Sequence, residues 1–283
     1  MFGRRADGTR VENIPTLRRF MPYVSPRRND SLFYMFQDIR VDAALEYLEK
    51  KNCERPVQRP ITLFHLMLRA TGNICFLRPG INRFVKGGKL WDRNHVSLTF
   101  SAKREIVDGS PLLTIKRRFL PDESLEEMVD GIYDRLESGR GGKKTTADKE
   151  MGIMVRLPGF AIRAAMGFVR AVDSLGLLPA SFIEGDPLFT SIFMANLGSI
   201  NYPAGFHHLW EYGTASCFGV MGKIEFDAEK RRKIVMAWTY DERIEDGLYS
   251  YHSMEIIRKK LEHPELLELS VAELERKDWT IYD

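Results

Sequence analysis

The heptapeptide DERIEDG, residues 241–247, sets four carboxylates and one guanidinium between an apolar stretch and a helical pattern. Glu242 is its candidate proton carrier. A glutamate titrates near ~4.3 in water, so it acts as a base toward weak acids only where burial raises it by several units. Without burial the loop is a solvated turn punctuated by Asp246-Gly247. His207 and His208, in AGFHHLWEYGT, are the second candidates. Neighbours on a strand face opposite ways, so at most one of them enters a site, and a packed or loop histidine is the simpler expectation. His65 and His95 read as buried or strand-face residues, and His252 falls on a helix. No two histidines have the i, i+4 spacing of a metal pair, and Cys53, Cys75 and Cys217 form no CxxC, so neither a metal nor a disulfide framework is expected. A reducing, cytoplasmic setting is the expectation that follows.

The elements that must hold these residues follow from periodicity. Phe33, Tyr34, Phe36, Ile39 and Val41 predict a strand, and Asp42 to Lys50 a helix. Pro60 opens ITLFHLMLRATGNICFL, whose Leu63, Leu66, Met67, Ala70, Ile74 and Leu77 share a helical face. Strands follow near residues 89–103 and 112–119, with a turn at Asp108-Gly109, and LEEMVDGIYDRLES predicts a helix. Residues 138–149, SGRGGKKTTADK, read as an exposed flexible loop. Residues 151–182 read as two helices broken at Pro158, apolar on most faces; core or oligomer interface is the expectation, and peripheral contact with a membrane surface the alternative. Strand patterns return in LFTSIFMANLGSI, SCFGVMGKIEF and KIVMAWTYDER, before a closing helix from Tyr249 to Glu262. Such alternation predicts one α/β sandwich domain over residues 1–283, with residues 1–30 as a basic N-terminal extension. A net charge of +3 marks no nucleic-acid surface, and no uncharged run reaches the ~18 residues of a membrane span.

Three segments, in order, resemble the catalytic domain of the dihydrolipoamide acyltransferases, the E2 core subunits of 2-oxoacid dehydrogenase complexes, and their relative chloramphenicol acetyltransferase. RPGINRF, residues 78–84, is similar to the Pro-x-Leu-Asn turn after the family's first long helix. FMANLGSI, residues 193–200, is similar to its Ser-Asn-Leu-Gly strand end, and YDERIEDG, residues 240–247, to its Asp-His-Arg-x-x-Asp-Gly catalytic loop. LEHPELLEL follows where the family has Asp-Pro and leucines, and order and spacing agree over about residues 30–270.

The resemblance implies a two-layer α/β sandwich with a mixed, largely antiparallel sheet. It also implies a homotrimer whose active channel lies between subunits, with larger cubic or icosahedral assemblies in the family. CoA or acyl-CoA would be substrate or ligand near Asn196 and Gly198, with no tightly bound cofactor. Asp246 would pair with an N-terminal arginine, Arg27 or Arg28. The family's catalytic histidine aligns with Glu242, and its oxyanion-binding Ser or Thr with Ala195. A carboxylate near ~4.3 is mismatched to a thiol near ~8.5 by about 4 units, against about 2 for histidine, a difference of roughly 3 kcal/mol. A lost oxyanion donor costs a further ~2.7–4 kcal/mol, although the two losses need not add. Asp148-Lys149 is not expected to be a lipoylation site, because it sits in a Gly/Lys-rich loop rather than at a hairpin tip, and no lipoyl or peripheral-subunit-binding domain is expected in this chain. The expectation is a stand-alone, catalytically impaired E2-like protein serving as an assembly, ligand-binding or regulatory component. The alternative is an active transferase, passing an acyl group between CoA and a thiol, amine or hydroxyl, with Glu242, His207 or His208 as base.

Overall fold

The computed structural model describes residues 4–103, 112–140, 152, 155–277 and 279. The first half of the chain runs β1 (Arg4–Arg5), β2 (Gly8–Arg10), α1 (Thr16–Val24), β3 (Leu32–Arg40), α2 (Asp42–Asn52), α3 (Leu63–Leu77), β4 (Phe84–Lys86), β5 (Lys89–Arg93), β6 (Val96–Lys103), β7 (Leu112–Phe119) and α4 (Leu125–Arg140). The second runs α5 (Gly159–Ser174), α6 (Ala180–Gly185), β8 (Ile192–Asn196), β9 (Cys217–Phe226), β10 (Arg232–Asp241), α7 (Gly247–Glu262) and α8 (Val271–Glu275).

Alternation of side chains sorts the main sheet into two unlike faces. Its order is β3-β10-β9-β8-β6-β7, with β8 parallel to both neighbours and the other pairs antiparallel, the mixed and largely antiparallel sheet expected. On one face Ile39, Met194, Met236 and Trp238 pack with Leu66 and Ile74 of α3 and with Ile257 and Leu261 of α7. Trp238 fits because Gly219 opposite has no side chain; a Cβ there would sit 2.4 Å from the indole. The other face carries a smaller apolar cluster, Phe193, Leu209, Phe218, Val220 and Ala237.

Residues 4–10 do not form a separate extension. They join β5 and β4 in a second, antiparallel sheet. The strand expected over 89–103 is two strands, broken at Asn94-His95. Residues 138–140 of the expected loop close α4, and the rest of it, with the Asp108-Gly109 turn, falls largely outside the described residues. The apolar segment 155–182 lies mostly on the surface rather than in the core. It is held by a small apolar cluster around Leu178 and by one buried charge: Asp173 of α5 accepts from Arg5 Nη2 at 2.6 Å and from Lys86 Nζ at 2.7 Å. No helix among the described residues is long and apolar enough to cross a membrane.

His65 is structural, completing a capping box with Thr62 at the start of α3, and burial pushes its pKa down to about 4. Lys260 of α7 is fully buried, and its Nζ has no hydrogen-bond partner among the described residues. Burial, reinforced by Arg69, lowers its pKa from 10.5 to about 7. Between those two values the unfolded chain holds a proton that the folded chain has shed, so this lysine makes stability rise with pH by up to about 1.4 kcal/mol per pH unit. Lys260→Met should raise the melting temperature near neutrality and flatten that slope. A slope unchanged in calorimetric scans from pH 7 to 10 would show that Lys260 does not set it.

Candidate active site

β10 delivers its last residue, Asp241, into the interior, where its carboxylate is fully buried. A buried charge needs a partner, and the chain supplies one two residues later. Arg243 donates from Nε to Oδ1 and from Nη2 to Oδ2, both at 2.7 Å, while its Nη1 donates to the carbonyls of Ser25 and Pro26 at 2.9 and 3.1 Å. Arg28 brings a second buried guanidinium, Nε 3.7 Å from Asp241 Oδ2, and its Nη atoms donate to the carbonyls of Trp210 and Gly213.

Glu242 lies between these residues but is itself exposed, so the chain alone does not bury its carboxylate. Its backbone is fixed: the N–H donates to the Ser31 carbonyl at 3.0 Å, and its carbonyl accepts from Arg18 Nη1 at 3.4 Å. Asp246 caps α7, accepting from the Tyr249 N–H at 2.8 Å. The expected pairing of Asp246 with Arg27 or Arg28 is not formed. Arg27 pairs with Asp30 at 2.9 Å, three residues along, and Arg28 is occupied by Asp241 and two carbonyls. Arg18 of α1 stands in their place, 3.8 Å from both Asp246 and Glu245. The resemblance implied only an N-terminal arginine, and TLRRF offers one as readily as SPRRND.

The first motif docks onto the same loop. Arg83 bridges Glu245 and Asp92, the Gly80 N–H donates to the Tyr249 hydroxyl at 3.0 Å, and the Arg78 guanidinium lies 3.9 Å from the Tyr249 ring centre. The FMANLGSI motif lies elsewhere. Ala195 pairs with Val220, which pairs with Ala237 of β10, four residues short of Asp241. Four residues along a strand and two strand spacings across place Ala195 about 16 Å from Asp241 within one chain. Asn196 accepts from the Ser199 N–H at 3.1 Å, closing the turn after β8, and Gly198 is required there because a Cβ would sit 2.6 Å from the Gly222 carbonyl oxygen. Both therefore shape the turn.

His207 shares the sheet face of Ala195, stacked on Phe218 at 4.3 Å between centroids and beside Trp210 at 5.1 Å. Its Nδ1 lies 2.7 Å from the His208 carbonyl oxygen. An oxygen there can only accept, so Nδ1 carries the proton and Nε2 offers the lone pair. Partial burial lowers its pKa and keeps it neutral near pH 7. His208 is exposed. A cleft of about 280 Å³ opens beside Arg243, lined by Arg27, Arg28, Lys86 and Arg170 against one carboxylate, Glu211. Among the described residues no group of three or more His, Cys, Asp or Glu could hold a metal ion.

The sequence matches no protein-family model and no curated protein. Solved structures do resemble it. A probable dihydrolipoamide acetyltransferase from Listeria monocytogenes superposes with a TM-score of 0.58 at 13% identity, over 89% of this chain and 94% of that one. The chain has the acyltransferase-core fold. The cubic core of the pyruvate dehydrogenase multienzyme complex gives 0.59 at 13% identity, over 92% and 95%, and a chloramphenicol acetyltransferase 0.55 at 13% identity, over 90% and 98%. Asp241→Asn should leave two buried guanidiniums without their counter-charge and cost about 3–5 kcal/mol in urea unfolding. Arg18→Ala, at a partly exposed site, should cost under about 1 kcal/mol and instead speed amide exchange over residues 242–246. Equal costs for the two would remove Asp241 from its place as the anchor.

Proposed function

We propose that the protein is an oligomeric binder of CoA or an acyl-CoA, built on the acyltransferase-core fold and lacking the acyl transfer of that family. The observation that carries this reading is the cationic cleft beside Arg243, lined by four further basic side chains, next to a loop whose base position holds an exposed glutamate. Most of these cations already face carboxylates of the protein, Arg27 that of Asp30, Arg28 and Arg243 that of Asp241 and Lys86 that of Asp173, so a phosphate would meet chiefly the guanidinium of Arg170 and the exposed side of Arg27. Ala195, packed in an apolar cluster, offers no donor to an oxyanion. The separation of Ala195 from the Asp241 loop supports a channel completed by a second copy, and hence a trimer, because no single chain brings the two motifs together.

A second reading has one observation in its favour. His207, neutral and with Nε2 free to accept, lies on the face that carries Ala195. In a trimer it would be the base of a working acyltransferase, with Glu242 of a neighbouring copy to orient it or stabilise its charged form.

Calorimetry with CoA and acetyl-CoA on the purified oligomer, followed by thioester consumption on the same sample, separates the two. The first reading expects binding that Arg27→Glu weakens at least about tenfold, and no turnover above buffer. Turnover that falls by about a hundredfold or more in His207→Gln would establish the second reading instead. Absence of any CoA binding would reject both.

A further inference from the structure

The segment from Val155 to Phe182 contains three arginines, Arg156, Arg163 and Arg170, and one carboxylate, Asp173, which is buried. Its helix α5 rests on the protein through Val169, Val172 and Asp173 and turns an apolar stripe outward: Phe160 is 75% exposed, Phe168 71%, and Leu175, just past its end, 72%. These residues recur at spacings of eight and seven residues, about two turns each, and so share one helical face. Helix α1 does the same with Leu17, Phe20 and Tyr23, at 73%, 60% and 65%. The two stripes border one turn. A Cβ on Gly88 would lie 3.5 Å from the Tyr23 ring, and one on Gly87 would lie 2.2 Å from the Ser174 carbonyl oxygen. Single exposed hydrophobics are ordinary, but two helices that both show their apolar faces at one turn make an interaction surface.

Charge decides what it meets. Arg156, Arg163 and Arg170 are exposed and have no ion-pair partner among the described residues, and neither α1 nor α5 exposes a carboxylate. A second copy meeting this face about a twofold axis would set arginines against arginines, and the heterologous contact of a trimer would have to bring carboxylates from a different surface of the chain. A bilayer rich in anionic headgroups offers the complement to both parts of the surface: phosphates for the guanidiniums and acyl chains for the phenyl rings. We propose that α1 and α5 form a docking surface for an anionic membrane, on which the protein lies without crossing it. The Asp173 anchor to Arg5 and Lys86 holds α5 ready-folded, so docking requires no coupled folding.

Co-sedimentation of the full chain with vesicles tests this, using phosphatidylcholine alone and phosphatidylcholine mixed with phosphatidylglycerol. The wild type should sediment with the mixed vesicles, less so as salt is raised, and not with phosphatidylcholine alone. Arg163→Gln should weaken binding about fivefold, and Phe168→Ser with Leu175→Ser by more than about tenfold. All these side chains are exposed, so the variants should keep the wild-type melting temperature. A wild type that stays in the supernatant overturns the proposal, and so do variants that bind as the wild type does. Variants that dissociate the oligomer while the wild type ignores vesicles would assign the surface to a protein partner and overturn it equally.

Discussion

A carboxylate carried to the end of a central strand and buried there governs the architecture around the candidate site. Asp241 cannot remain charged in an apolar interior without partners. Arg243 meets it from the same loop and Arg28 from the segment before β3. Each guanidinium has donors to spare, and those bind the carbonyls of Ser25, Pro26, Trp210 and Gly213. One neutralised charge thereby ties the entry to β3, the segment before β9 and the candidate catalytic loop into one body. A second buried network, Arg5 with Asp7 and Asp173 and Lys86 with Asp173, performs the same service for the small sheet and α5.

The sheet order then decides what one chain can and cannot assemble. β8 is inserted in parallel between β6 and β9, so its end points away from the loop that follows β10. RPGINRF and DERIEDG are brought together through Arg83, Tyr249 and Arg78, whereas FMANLGSI is kept at a distance with the aromatic cluster of Phe193, Phe218, Trp210 and His207. Within a single copy the two motifs stand apart.

Much of this was legible in advance because the governing patterns are local. Periods of two and 3.6 located β3, α2, α3, α4, β9, β10 and α7 to within a few residues. Long-range choices were not legible. Arg18, Arg27 and Arg28 are the same residue type in the same basic stretch, and only the path of α1 across the loop tells which one meets Asp246. Asp241 cannot be singled out among the four carboxylates of DERIEDG, since nothing local distinguishes a buried carboxylate from the exposed ones beside it. Residues 4–10 read as an extension because strands of two and three residues have too little pattern to announce themselves. The surface position of α5 was hidden for the opposite reason: an apolar helix looks alike whether its outward face meets a core, a partner or lipid.

Position 242 is held by its backbone, through Ser31 and Arg18, while its side chain contributes nothing to the packing beneath it. The residue there can consequently change over evolutionary time with little penalty to folding, since the anchors of the loop are its neighbours. Architecture and surface chemistry are thus separable at this position: a substitution alters the exposed side chain and leaves in place the frame that presents it.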